Sequence, residues 1–257
     1  MVITNSFKIA TLAALMAVVS AVVPLDDYVS QPEAVYKWEH LEDKQMTSLF
    51  GNKIYVLNVT SLDWLDTSKQ TGQGISVWSH LVYVAVPHDL KVTNMSMAYI
   101  TGGDNDDPNK ADNIFDQDII MTDTIAHYSG GIGIAVKQIP NQPIIFPDDP
   151  KQQHRTEDAV IAYGWKKFMD DPEHDPRWLP RLPMVKASFQ CMRAAQEFLQ
   201  FNGIADVEGW LVAGASKRGW TTWDVGVTRC STCVNIVGIA PLVPIVPDME
   251  TEIHRMW

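Results

Sequence analysis

Apolar residues along this chain follow two rhythms, and the alternation between them outlines a fold. Runs rich in β-branched and aromatic residues at Ile54 to Thr60 and Ile75 to Val86 predict strands. Met95 to Thr101 predicts a third, ending at Gly102-Gly103. Gly131 to Gln138 is a continuous apolar run and predicts a buried strand. Helical spacing appears in Phe115 to Tyr128 and Thr156 to Met169. It is strongest in Met184 to Phe201, which Asn202-Gly203 closes. Between these lie a polar acidic loop, Gly102 to Asn113, and a proline-broken stretch, Asn141 to Pro150. Asp170 to Pro183 carries Pro172, Pro176, Pro180 and Pro183 and predicts an exposed loop. Trp210 to Ala213 predicts a strand, Lys217 to Thr228 a helix, and Val234 to Ala240 a last strand. From Gly131 onward the order is strand, helix, helix, strand, helix, strand. That order predicts an α/β fold, a mostly parallel sheet with right-handed crossovers and flanking helices.

One junction in this pattern carries chemistry. In Gly209-Trp-Leu-Val-Ala-Gly-Ala-Ser-Lys-Arg-Gly-Trp220 an apolar strand runs through Gly214 into Ser216, and a helix follows at once. Strand, glycine, serine, helix is the layout of a nucleophile elbow, whose tight turn thrusts the serine hydroxyl out at the top of a sheet. Flanking glycines let the backbone bend and the helix approach the strand. The usual pattern is G-x-S-x-G; here the second glycine comes one place late, at Gly219. The N–H of Lys217 opens the helix, where it can stabilise an oxyanion. The plainer alternative is a structural serine at a strand–helix junction.

The wording around the elbow, Val212-Ala-Gly-Ala-Ser-Lys-Arg-Gly-Trp-Thr-Thr-Trp223, resembles the signature of the PhoPQ-activated pathogenicity-related family. That family includes the autocrine proliferation repressor proteins of social amoebae. Other segments agree in order: Pro24 to Val29 with Tyr36-Lys-Trp38, Val77 to Pro87, Tyr99 to Asn105, and Ile239 to Val246. The resemblance implies an α/β-hydrolase fold over residues 24 to 250 and says less about activity. It also favours the Gly102-Gly103 loop, through Gly103, as the second oxyanion donor, although Gly-Gly is equally ordinary turn chemistry. Lys217 and Arg218 belong to the signature. They are open to binding a substrate carboxylate, to pairing with acids of the expected missing half of the domain, or to a surface ion pair. Trp210, Trp220 and Trp223 are expected to pack in the core.

Composition narrows the function classes. The net charge of −11 and the absence of any Lys/Arg run exclude a nucleic-acid partner. Lys8 followed by the apolar stretch Ile9 to Val23, with Val19-Ser20-Ala21 at its end, predicts a signal peptide over residues 1–21 and a secreted protein. The stretch is short for a membrane span, which needs about twenty residues. Asn58-Val-Thr60 and Asn94-Met-Ser96 are glycosylation sequons, with Asn94 close to a predicted strand and expected to be the less accessible. Of the three cysteines, Cys230 and Cys233 are expected to pair across a turn in an oxidising compartment, and Cys191 to be a buried thiol. Asp104-Asn-Asp-Asp107 superficially resembles a calcium loop. It lacks the glycine and glutamate such a loop requires, Asn109 and Phe115 standing there instead, so no metal or cofactor is expected.

An α/β-hydrolase places its acid and histidine after the serine. Here Asp248 is a candidate acid or a helix cap, and His254, the last histidine, comes too soon after the final strand to be the expected base. Residues 22–257 are therefore expected to form an incomplete hydrolase-like domain with Ser216 as nucleophile. Its partners would be a small-molecule or peptide substrate. The alternative is a non-catalytic secreted signal that binds an extracellular receptor, as the proliferation repressors are thought to do.

Overall fold

A computed structural model describes residues 24–65, 77–105 and 113–243. The expected signal peptide, Asp248 and His254 lie outside the described residues. Eight strands form one sheet: β1 (Lys37–His40), β2 (Met46–Thr47), β3 (Lys53–Asp63), β4 (Val77–Val86), β5 (Val92–Ile100), β6 (Gly131–Val136), β7 (Gly209–Ala215) and β8 (Ile236–Leu242). Their order is β1-β3-β4-β6-β5-β7-β8, with β2 also on β3. The sheet is mixed. β5 pairs in parallel with β6 and β7, and β7 with β8, as the strand–helix alternation predicts. The N-terminal strands are antiparallel, as is the β4–β6 pair that joins them to the rest. The alternation from Gly131 onward carries no information about that half.

Among the described residues five α-helices flank the sheet: α1 (Pro24–Ser30), α2 (Gln117–Ser129), α3 (Asp158–Asp170), α4 (Arg181–Phe201) and α5 (Lys217–Val227). α2 is capped by Asp116, whose carboxylate accepts from the N–H groups of Asp118 and Ile119, and it stops at Gly130 with φ 66°. α4 begins three residues before the predicted Met184. Pro183 stands in its first turn, where the missing N–H would have no partner in any case.

Strand residues alternate between two cores. Leu57, Val59, Val82, Val84, Ile134 and Val136 meet α4 on one face. Ile54, Val56, Tyr83, Ala85 and Ala135 meet Ile119 and Ala126 of α2 on the other. α5 lies on the α4 side, with Val225 in the same cluster. Among the described residues no helix is long and apolar enough to cross a membrane. The sulfurs of Cys230 and Cys233 lie at disulfide distance in the α5–β8 turn, with Cα atoms 5.4 Å apart, and Cys191 is buried and unpaired.

The strand order positions the site. After β5 the chain adds β6 on one side, then returns to place β7 on the other. Ligands of open α/β sheets bind where the order reverses, beyond the carboxyl ends of the strands. Here those ends run into Thr101-Gly102-Gly103 and Ser216.

Candidate active site

Ile100 pairs with Gly214 at the end of the β5–β7 ladder. Two residues further on each strand stand Gly102 and Ser216, so adjacent strand ends deliver the glycine loop beside the elbow. Ser216 has φ 56° and ψ −121°, a conformation that costs a non-glycine residue of the order of 1–3 kcal/mol. Its neighbours impose that conformation. The Ser216 N–H donates to the Leu242 carbonyl of β8 at 2.9 Å, and its own carbonyl accepts from Trp220 N–H at 3.0 Å as α5 starts. Gly214 sits against the Arg218 carbonyl and the Thr222 hydroxyl, where a Cβ would come within 2.8 Å of both. A methyl on Gly219 would strike the Leu242 carbonyl oxygen. The late second glycine is therefore the point where the elbow helix crosses the neighbouring strand, which explains its displacement from the usual pattern.

Two N–H groups near the serine have no acceptor among the described residues: that of Lys217, first in α5, and that of Gly103, held at φ 126°. The Ser216 hydroxyl likewise has no hydrogen-bond partner among them. The positive end of the α5 dipole adds to the pull on any negative charge formed there.

Around this centre the cations are already paired. Arg218 grips Glu157 with two nitrogens, at 2.7 and 2.6 Å, and donates through Nε to the Ile139 carbonyl at 2.6 Å. Lys217 Nζ lies 2.7 Å from Glu157 and 3.1 Å from Asp158. Burial works to raise the Glu157 carboxyl, but hydrogen bonds from Arg218 and Lys217 overcome it and hold the pKa at about 2. Of the three roles open to Lys217 and Arg218, the structure places both in ion pairs within this chain. From the other side Arg181, buried against the Trp220 ring, donates to the Lys217 carbonyl. Burial lowers its pKa to about 10. Beyond the glycine loop, Lys137 is buried between Asp116 and Asp118, each 3.0 Å away.

Trp210 is fully buried, as expected for core, whereas Trp223 is 47% exposed. Trp223 lies on the outer face of α5, which nothing covers among the described residues. Asn94 is exposed at the start of β5. Asn58 is half-buried in β3, its amide oxygen accepting from Ser79 at 2.8 Å, so the accessibilities of the two sequons are the reverse of expectation. Sequence reasoning missed Glu157, which lies beside the elbow only once α3 packs. None of the described histidines hydrogen-bonds Ser216.

The family model for PhoPQ-activated pathogenicity-related proteins matches residues 25–257. This chain belongs to that family. It is 39% identical over 215 residues to autocrine proliferation repressor protein A of Dictyostelium discoideum, covering 83% of this chain and 40% of that protein. The chain thus spans well under half the length of this curated relative. Among solved structures, an acetyl xylan esterase from Paenibacillus sp. R4 overlays with a TM-score of 0.41 and 14% identity, over 78% of this chain and 53% of that one. A variant of the rice cell wall degrading esterase LipA from Xanthomonas oryzae gives 0.42 and 11%, over 75% and 43%. The family member's own strand order and strained elbow carry its α/β-hydrolase architecture.

Proposed function

We propose that this chain supplies the nucleophile and oxyanion hole of a secreted serine hydrolase that cleaves an ester or amide in a small molecule or peptide. The observation that carries this reading is the backbone of Ser216, strained at φ 56° between a switch-point strand and a helix N-terminus. In the reaction Ser216 Oγ attacks the substrate carbonyl and gives its proton to a general base. The carbonyl oxygen becomes an oxyanion held by the N–H groups of Lys217 and Gly103, and the leaving group departs with a proton returned by the base, which leaves Ser216 acylated. Water, deprotonated by the same base, then attacks the acyl-serine ester, and the acid is released as the base returns the proton to Ser216 Oγ. The base and its orienting acid come from outside the described residues. Lys8 and the apolar run to Val23 support export, and exposed Asn94 is the better placed sequon to carry a glycan.

The name of the Dictyostelium relative, a proliferation repressor, favours a second reading, an extracellular signal that uses the same fold without catalysis. A fluorophosphonate probe separates the two. Protein purified from its own source, at its natural length, should be labelled at Ser216, and Ser216→Ala should abolish labelling. A folded natural protein that never labels would favour the signalling reading.

A further inference from the structure

The ion pair beside the elbow does more than neutralise charge. The Arg218 guanidinium lies against the Cα of Gly102, where a Cβ would come within 2.8 Å of Nη2 and 3.1 Å of Cζ. The Gly102 and Thr101 carbonyls accept from Gln138 and Ile139 N–H at 2.9 and 3.1 Å. The Ile139 carbonyl in turn accepts from Arg218. On the far side of Glu157, Gln142 donates to Asp104 at 2.8 Å and to Glu157 at 2.9 Å, and accepts from the Glu157 N–H at 2.7 Å. Its backbone carbonyl accepts from Asn105 at 2.7 Å. The loop Gly102 to Asn105 is therefore tied to the elbow by a closed circuit, Gln142–Glu157–Arg218.

Backbone strain gathers on the same circuit. Seven non-glycine residues have positive φ among the described residues, and three belong here: Ser216 at 56°, Glu157 at 51° and Gln138 at 57°. Such strain persists only where the surroundings over-determine the conformation, and it clusters at functional sites.

We propose that Arg218, anchored by Glu157, is a positioning residue that fixes the Gly103 N–H relative to the Lys217 N–H, so that both donors meet one oxyanion. The proposal rests on the hydrolase reading. Arginine is required because three of its donors are committed in one rigid plane, two to Glu157 and one to Ile139. A lysine keeps the charge and loses the fork. A misplaced donor weakens transition-state binding while leaving the serine and its strand intact.

The test uses the natural-length protein and a fluorophosphonate probe, whose phosphoryl oxygen must enter the same hole. Arg218→Lys should slow phosphonylation of Ser216 by about 100-fold, the effect of losing one oxyanion donor. The melting temperature should stay near wild type, and amide hydrogen exchange at Gly102 to Asn105 should rise. A merely structural role would slow labelling only in proportion to the unfolded fraction. Arg218→Lys that labels as fast as wild type overturns the proposal. Should that variant fail to fold, Glu157→Gln decides: slower labelling with faster loop exchange supports the circuit, and unchanged labelling removes it. Wild type that never labels sinks the hydrolase reading and this inference together. Labelled wild type with indifferent variants sinks this inference alone.

Discussion

Two serines in this molecule make opposite cases for reactivity. Ser61 has what a nucleophile is supposed to need: its hydroxyl lies 2.9 Å from Nε2 of His80. Yet both residues are sealed in the sheet, and the other ring nitrogen faces the Lys137 and Gln138 carbonyls at 3.2 and 3.1 Å. Ser216 has no histidine among the described residues. It has instead the strained turn, the helix N-terminus and two N–H groups without acceptors. A serine–histidine contact alone is core chemistry. What marks a site is geometry that the fold strains to maintain, with donors left open for a group that has yet to arrive.

The sharpest way to break this comparison is to ask which serine reacts. Fluorophosphonate adducts mapped by peptide mass spectrometry should fall on Ser216 and none on Ser61, and Ser61→Ala should label as wild type does. An adduct on Ser61 would reverse the assignment.

The second contrast is in pH. Burial, opposed by the backbone hydrogen bonds, lowers the His80 pKa from 6.5 to about 4. Between those values the unfolded chain binds more protons than the folded one, so stability rises with pH. The contribution of roughly 3 kcal/mol is complete above pH 6.5 and is lost as pH falls toward 4. Asp224, raised by burial to about 6, titrates in the same window with the opposite sign. The measurement is therefore a difference: urea midpoints of wild type and His80→Asn from pH 4 to 7. The stability of wild type relative to His80→Asn should grow as pH rises from 4 to 7, and parallel curves would show that His80 titrates normally.

The smallest effect concerns strain. Ser216→Gly should stabilise the fold by about 1 kcal/mol, since glycine adopts that conformation without penalty. Ser61→Ala should destabilise it by about 1 kcal/mol, because buried His80 loses a partner. Denaturant unfolding reads both, and a destabilised Ser216→Gly would deny that the elbow is strained.

Much of this centre was legible in the sequence because it is local. The apolar strand, Gly214, Ser216 and the helix after it occupy a single contiguous run, and turn chemistry has no need of distant partners. Gly219 looked misplaced only because its reason, the Leu242 carbonyl, lies on another strand. Glu157 escaped for the same cause: its meaning depends on Arg218, across two helices. β1 and β2 were missed because, at 4 and 2 residues, they are too short for their alternation to stand out. Pro180 and Pro183 read as loop punctuation, although a proline in a first helical turn costs no hydrogen bond. Trp223 was assigned to the core on residue type, which cannot tell a covered helix face from an open one.

The placement of β5 also bears on how the chain is made. Its partner on the elbow side, β7, begins at Gly209, so the ribosome must complete everything between Ile100 and Gly209 before the central ladder can close. At roughly 5–20 residues per second that edge waits some 5–20 s. During that interval β5 can pair only with β6, and its other edge, the one that will carry the candidate site, stands open as a template for mispairing.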